Sequence, residues 1–177
     1  MTGSPRLTLV LGGARSGKSA FVLETAGRLP GRKAFVATAQ AGDQEMAERI
    51  RRHQADRGPT WETVEEPLAL AARLKALAGT HAVAVVDCLT VWLGNLLCQP
   101  AAPDPEPEPM LAAFVASLAE LGHLQLFLVA NEVGMGIVPD NPLARRFRDL
   151  AGWLNQKVAA RADAVYLVAA GLPLRLK

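Results

Sequence analysis

Gly12-Gly13-Ala14-Arg15-Ser16-Gly17-Lys18-Ser19 follows the apolar run Leu7-Thr8-Leu9-Val10-Leu11 and leads into Ala20-Phe21-Val22-Leu23. The eight residues fit G-x-x-x-x-G-K-[ST], in which glycines let the backbone turn until its N–H groups point at phosphate oxygens. A helix opening near Gly17 adds the positive end of its dipole at the same spot. Lys18 is placed to reach the β- and γ-phosphates of a nucleotide, and the Ser19 hydroxyl to ligate Mg²⁺. Arg15, inside the turn, either touches phosphate or is solvated. The motif requires a buried strand before it and a helix after it, and both are written here. The expected fold is therefore α/β and P-loop NTPase-like, with a mostly parallel central sheet flanked by helices.

The rest of the chain keeps that rhythm. Ala82-Val83-Ala84-Val85-Val86 ends at Asp87, and Gln125-Leu126-Phe127-Leu128-Val129-Ala130 ends at Asn131-Glu132. Continuous apolar runs of this kind suit parallel strands covered on both faces. Residues 33–38 and 164–169 read as two more buried strands, 61–64 as an extended segment, and 174–177 as an antiparallel edge strand. Helices are expected over 18–29, from an Asp43 N-cap to His53, over 67–78, 89–97 and 110–121, and from Asn141-Pro142 to about 162. Asn at the N-cap followed by Pro in the first turn is a helix start signal. Residues 100–109 carry five prolines in ten and read as an exposed, polyproline-like connector inside one domain spanning 1–177. Strands alternating with helices predict right-handed parallel crossovers, with ligands bound beyond the carboxyl ends of the strands. The residues there are the P-loop, Thr38, Asp87 and Asn131-Glu132.

Composition narrows the partners. Half of the 177 residues are hydrophobic, and the formal net charge is +2, too small to argue for nucleic acid. No apolar stretch approaches the ~20 residues that cross a bilayer, and residues 1–11 do not make a signal sequence. Cys88 and Cys98 lie in apolar surroundings and read as two buried free thiols, which suits a reducing, cytoplasmic setting.

Three groups beyond the P-loop can carry chemistry. Asp87 ends a strand of the kind that places a carboxylate near the P-loop, for Mg²⁺ directly or through water; the other reading is an N-cap for the helix at Leu89. Arg49, Arg51, Arg52, His53 and Arg57 form a basic cluster, a kind of run that is usually only a solvated face. An imidazole with a reference pKa of ~6.5 is largely neutral and nucleophilic at neutral pH, and flanking arginines neutralise phosphates and favour the neutral ring. His81 and His123 read as structural or exposed. The loop Asn131-Glu132-Val133-Gly134-Met135-Gly136-Ile137-Val138-Pro139, at a strand's carboxyl end, has the glycines and proline of a shaped ligand loop, the other reading being a compact structural turn. Arg145, Arg146, Arg148 and Asp149 read as salt bridges or subunit contacts.

These stretches resemble the bifunctional adenosylcobinamide kinase/adenosylcobinamide-phosphate guanylyltransferase family of cobalamin biosynthesis. The likeness runs through the P-loop, Ala37-Thr38-Ala39, the segment from Glu45-Met46 through His53 and Arg57 to Trp61 and Glu65, and Asp87-Cys88-Leu89-Thr90 with Asn95-Leu96-Leu97. It continues through the loop after Asn131 and through Ala144-Arg145, Phe147-Arg148-Asp149, Gly152, Asn155-Gln156 and Ala162-Asp163. The resemblance implies two reactions: phosphorylation of adenosylcobinamide by ATP or GTP, then transfer of GMP from GTP to the new phosphate through a guanylylated histidine. That histidine maps to His53; where some relatives have a second histidine just before it, this chain has Arg52. Nucleotide contacts map to Gly12, Gly13, Ala14, Arg15, Ser16, Gly17, Lys18, Ser19, Ala37, Thr38, Ala39, Gln54, Ala55, Asp56, Arg57, Glu65 and Asp87. Ser19 and Asp87 are the implied Mg²⁺ ligands, and a homotrimer is the implied assembly. Some relatives have Glu where Asp87 stands, which keeps the charge on a longer arm. A single-activity P-loop kinase of another small molecule, with His53 structural, and a nucleotide-dependent binding module are the rival readings of the same residues.

Overall fold

The computed structural model describes residues 6–39, 58, 60–98 and 107–177. The expected helix from Asp43 to His53 and most of the Pro-rich connector lie outside them. In chain order the elements are β1 (Leu7–Gly12), α1 (Lys18–Gly27), β2 (Lys33–Ala37), β3 (Trp61–Glu65), α2 (Leu70–Ala78), β4 (Val83–Asp87) and α3 (Leu89–Leu97). They continue with α4 (Glu108–Ser117), a 3₁₀ turn (Leu118–Glu120), β5 (Gln125–Asn131), α5 (Pro142–Arg161), β6 (Ala164–Ala169) and β7 (Leu172–Arg175). The strands make one sheet in the order β3-β2-β4-β5-β1-β6-β7. Every pairing is parallel except β6 with β7.

Alternation along the strands explains why both faces are dry. Leu7, Leu9, Leu11, Val36, Val86, Leu126 and Leu128 point to one face and pack on Leu70, Leu74, Leu89, Trp92, Phe114 and Leu154 of α2 to α5. Val10, Phe35, Val85, Phe127 and Val129 point to the other face, where Val22 and Ala26 of α1 cover them. Burial on both sides calls for the near-continuous apolar runs seen in β1, β4 and β5, where Thr8 is the one buried polar side chain. Thus β1, β4 and β5 are held rigid from two sides, and their carboxyl ends form a fixed platform.

Three expectations need correction. The C-terminal edge strand is antiparallel as expected, but it spans Leu172–Arg175. Its two-residue turn, Ala170-Gly171, has φ of 51° and 80°. Paired positive φ values are the hairpin geometry that matches strand twist. The connector does not run exposed to 109: α4 begins at Glu108, and Pro107 is buried. Pro109 fits in the first turn because its missing N–H would lack a helical partner there anyway. Both cysteines are free, but only Cys88 is buried, while Cys98 at the end of α3 is exposed. The start of α5 is as expected, with the Asn141 side chain accepting from Ala144 N at 3.1 Å.

Candidate active site

The P-loop closes over the end of β1. Gly12, at φ 156°, has no room for a side chain: a Cβ there would sit 2.4 Å from Val168 O and 2.6 Å from Ser16 Oγ. Gly17, at φ 96°, adopts a left-handed conformation that favours glycine and opens α1 with no side-chain cap on its first amides. Arg15 also takes a positive φ, 55°, and its side chain is exposed. Behind the loop stands the β6–β7 hairpin: Gly171 N donates to Ser16 O at 2.8 Å, and Gly171 Cα lies 3.0 Å from where a Gly17 Cβ would be. The hairpin therefore buttresses the phosphate turn.

Lys18 is buried, and its Nζ donates to Gly13 O at 2.6 Å, folding the ammonium over the turn. Burial pulls its pKa below the ordinary ammonium range, and the nearby Asp87 carboxylate offsets part of that fall. Ser19 Oγ donates to Asp87 Oδ2 at 2.7 Å, joining the first turn of α1 to the end of β4. Asp87 continues the alternation of Val83 and Val85, so it faces the α1 side of the sheet. α3 is capped by Cys88 with no side-chain hydrogen bond, which removes the N-cap reading of Asp87. Its carboxylate serves the P-loop side.

Thr38 is fully buried, and its hydroxyl is committed. Oγ1 donates to Cys88 O and accepts from Cys88 N, each at 2.8 Å, clamping the end of β2 to the residue after Asp87. Its hydroxyl thus braces the residue next to Asp87. Cys88 O also takes Trp92 N, so Thr38→Val orphans chiefly Cys88 N. The expected cost is about 1–3 kcal/mol by chemical denaturation, since a buried donor loses its partner. An unchanged midpoint would show that the brace is not needed.

Polar residues with no role assigned from sequence complete the frame. Thr90 Oγ1 accepts from Asn131 N at 2.6 Å, and Asn95 Nδ2 donates to Thr38 O at 2.8 Å and Pro67 O at 3.1 Å. The signal for them was present: both are polar residues inside the apolar helix LTVWLGNLL. Glu66, beside the predicted contact Glu65, accepts from Leu68 N and Ala69 N and pairs with Arg73 at 3.4 Å. Those donors hold its pKa below the usual carboxylate range although burial works against them. Glu65 itself is exposed at the end of β3, on the sheet's far edge. Arg145 donates to Pro139 O and Asp140 O, fastening the loop that leaves β5. Arg146 pairs with Glu108 at 3.8 Å and Arg148 with Asp149 at 3.6 Å, in line with the salt-bridge reading. His53, Gln54, Ala55, Asp56 and Arg57 lie outside the described residues. The structure therefore brings together Gly12 to Ser19, Thr38 and Asp87, with Asn131 and Glu132 beside them.

With this geometry in view, the relatives are informative. The family model described as cobinamide kinase / cobinamide phosphate guanyltransferase matches residues 8–176. The chain belongs to that family. It is 47% identical over 173 residues to the bifunctional adenosylcobalamin biosynthesis protein CobP of Pseudomonas aeruginosa, covering 96% of each chain. It is 39% identical to the bifunctional adenosylcobalamin biosynthesis protein CobU of Escherichia coli, covering 97% of this chain and 99% of that one. Membership makes the chain a transferase of cobalamin biosynthesis, with kinase and nucleotidyltransferase chemistry.

Solved structures show the fold alone. The P4 protein of bacteriophage phi6, in complex with ADP, aligns with a TM-score of 0.52 at 16% identity, over 96% of this chain and 54% of that one. The ATPase EscN of the enteropathogenic E. coli type III secretion system aligns with a TM-score of 0.61 at 11% identity, over 94% and 43%. The chain thus spans about half the length of these two structures, and what is shared is the fold of the sheet. No helix among the described residues is long and apolar enough to cross a membrane.

Proposed function

We propose that this member carries both activities on one P-loop. A nucleoside triphosphate phosphorylates the aminopropanol hydroxyl of adenosylcobinamide. GTP then gives GMP to that phosphate through His53, yielding adenosylcobinamide-GDP and pyrophosphate. The observation that carries the reading is the Ser19–Asp87 pair at 2.7 Å beside the buried Lys18. Two hard oxygen donors facing a phosphate turn suit Mg²⁺, which when bound neutralises charge on the triphosphate. Ser19 and Asp87 would hold it.

In the first reaction the P-loop amides and Lys18 hold the β- and γ-phosphates while the acceptor oxygen attacks the γ-phosphorus. In the second, a ring nitrogen of His53 attacks the α-phosphorus. A P–N bond forms, the P–O bond to pyrophosphate breaks, and the leaving charge falls on oxygens facing Lys18. The corrinoid's phosphate oxygen then displaces the histidine, forming the new P–O bond and returning free imidazole. Splitting one displacement into two is what a covalent intermediate achieves. A guanylyltransferase activity calls for displacement at the α-phosphorus, and the basic residues Arg49, Arg51, Arg52 and Arg57 near His53 in the sequence supply matching charge for it.

GTP labelled separately at the α- and γ-positions tests this. The expected result is acid-labile, alkali-stable α-label on the protein, and γ-label on the corrinoid. Transfer of γ-label alone would leave a single-activity kinase, and intact binding with neither transfer would leave a binding module. Homotrimeric assembly and cytoplasmic residence, both implied by the resemblance, belong to the same proposal; light scattering of the purified chain reads the first.

A further inference from the structure

We infer that Glu132 is the general base of the phosphorylation step, an assignment that rests on the kinase half of the function proposed above. The acceptor hydroxyl loses a proton as it attacks, a carboxylate near the γ-phosphorus can take it, and among the described residues the platform offers few. Strand order ranks them. Neighbouring strands lie ~4.8 Å apart, so β5 is about 5 Å from the P-loop strand, β4 about 10 Å and β3 about 19 Å. Glu65 and Glu66 follow β3 and are too distant, and Glu66 is already committed to the start of α2. Asp87 ends β4, but its carboxylate accepts the Ser19 hydroxyl on the α1 side, where the proposed metal-binding role lies. Glu132 follows β5, next to the P-loop strand.

Its placement is fixed by the backbone around it. Glu132 N donates to Gly12 O at 3.1 Å, continuing the β1–β5 ladder one step past Asn131. Asn131 N is held by Thr90 Oγ1 at 2.6 Å, and Asn131 O takes Asn155 Nδ2 at 3.5 Å. Glu132 Oε1 accepts from Gly134 N at 2.8 Å, so one oxygen is oriented while the other has no partner among the described residues.

The ladder also fixes the face. Glu132 alternates with Leu126, Leu128 and Ala130, whose side chains lie on the α2–α5 side, opposite to α1 and Asp87. In-line displacement puts the attacking and leaving oxygens on opposite sides of the phosphorus. The P-loop holds the leaving diphosphate at the first turn of α1, so the hydroxyl must approach across the sheet's end from the Glu132 side. Residues 134–138, two to six positions after Glu132, are exposed and leave that approach open to a large acceptor.

In the step, the hydroxyl O–H bond breaks and its proton moves to the free Glu132 oxygen. The oxygen's electron pair forms the bond to the γ-phosphorus. The bond from that phosphorus to the bridging oxygen breaks, leaving its pair on the nucleoside diphosphate beside Lys18. GMP transfer to a phosphate needs no such base, because the acceptor is already an anion. The two activities therefore separate.

The test uses the full-length chain with adenosylcobinamide for the kinase step and adenosylcobinamide phosphate with GTP for the transferase step. Glu132→Gln is expected to lower kcat of phosphorylation about 10²-fold or more, the scale of general base catalysis, with GMP transfer within about threefold of the parent. Glu132→Ala, read the same way, covers the case in which an amide disturbs the Gly134 turn. Phosphorylation within about threefold of the parent, or an equal fall in both activities, would overturn the assignment. A parent chain that moves no γ-phosphate would overturn the kinase reading itself, and this inference with it.

Discussion

Lys18→Ala is expected to remove both transfers, lowering kcat of phosphorylation and of guanylylation by about 10²–10³-fold or more, the scale seen when one preorganised charge donor is lost. Both reactions develop charge on oxygens of the same phosphate chain, and Lys18 is the cation folded over the turn that holds it. The fold is expected to survive. Burial makes the charged ammonium unfavourable in the folded chain, which is why its pKa falls, so alanine removes a cost as well as a contact. The thermal midpoint should equal or exceed that of the parent. The same shift sets a pH dependence. Bound phosphate raises the Lys18 pKa again, so nucleotide binding is coupled to the proton. Affinity is full below the depressed pKa of the free protein and falls as pH rises from there through the higher pKa of the complex. Lys18→Arg stays charged across that window and should give a flatter profile in alkaline titrations. An alanine variant that keeps either activity within tenfold would show that Lys18 does not act on the shared phosphates.

Much of this arrangement is legible in the sequence because burial on both faces leaves few choices. β1, β4 and β5 are apolar at nearly every buried position, Thr8 excepted, and each ends abruptly in a residue of another kind: Gly12, Asp87, Asn131. The parallel rule then assigns those residues to one edge before any coordinate is known. What was not legible depends on pairings that leave no periodic trace. The turn at Ala170-Gly171 lacks the Asn-Gly signal, so β7 starts two residues earlier than expected, and with it the buttress from Gly171 to Ser16 went unseen. Thr38 reads as a contact because it ends a strand, and nothing in the sequence announces the bond of its hydroxyl to Cys88, fifty residues away in the chain. Thr90 and Asn95 could be picked out as polar residues in an apolar helix, but not whom they bind. Local chemistry names the candidates; the long-range partner decides whether a side chain serves the ligand or the frame.

That distinction also bears on the proposed nucleophile, His53. His53→Ala is expected to abolish covalent labelling by α-labelled GTP and to lower net GMP transfer below detection, while γ-phosphate transfer and nucleotide affinity stay within about threefold. The chain has three histidines. His81 is buried and bonded to Glu62 Oε2 at 3.2 Å and Thr80 Oγ1 at 2.9 Å. It precedes β4 by two residues and Asp87 by six, which at ~3.3 Å per residue puts it roughly 20 Å from the phosphate end of the sheet. His123 precedes β5 at that same far end. Neither can reach an α-phosphorus held by the P-loop without the sheet coming apart. Guanylylation on histidine therefore requires His53, and a His53→Ala protein that still takes acid-labile α-label would place the nucleophile on another residue type. Retained phosphorylation in the same variant is the needed control: it shows the P-loop intact and confines the loss to attack at the α-phosphorus. His53→Asn, which keeps a planar polar side chain but no nucleophilic ring, is expected to behave like the alanine variant. Recovery of the label in the asparagine variant would mean that the position supplies geometry and not the attacking nitrogen.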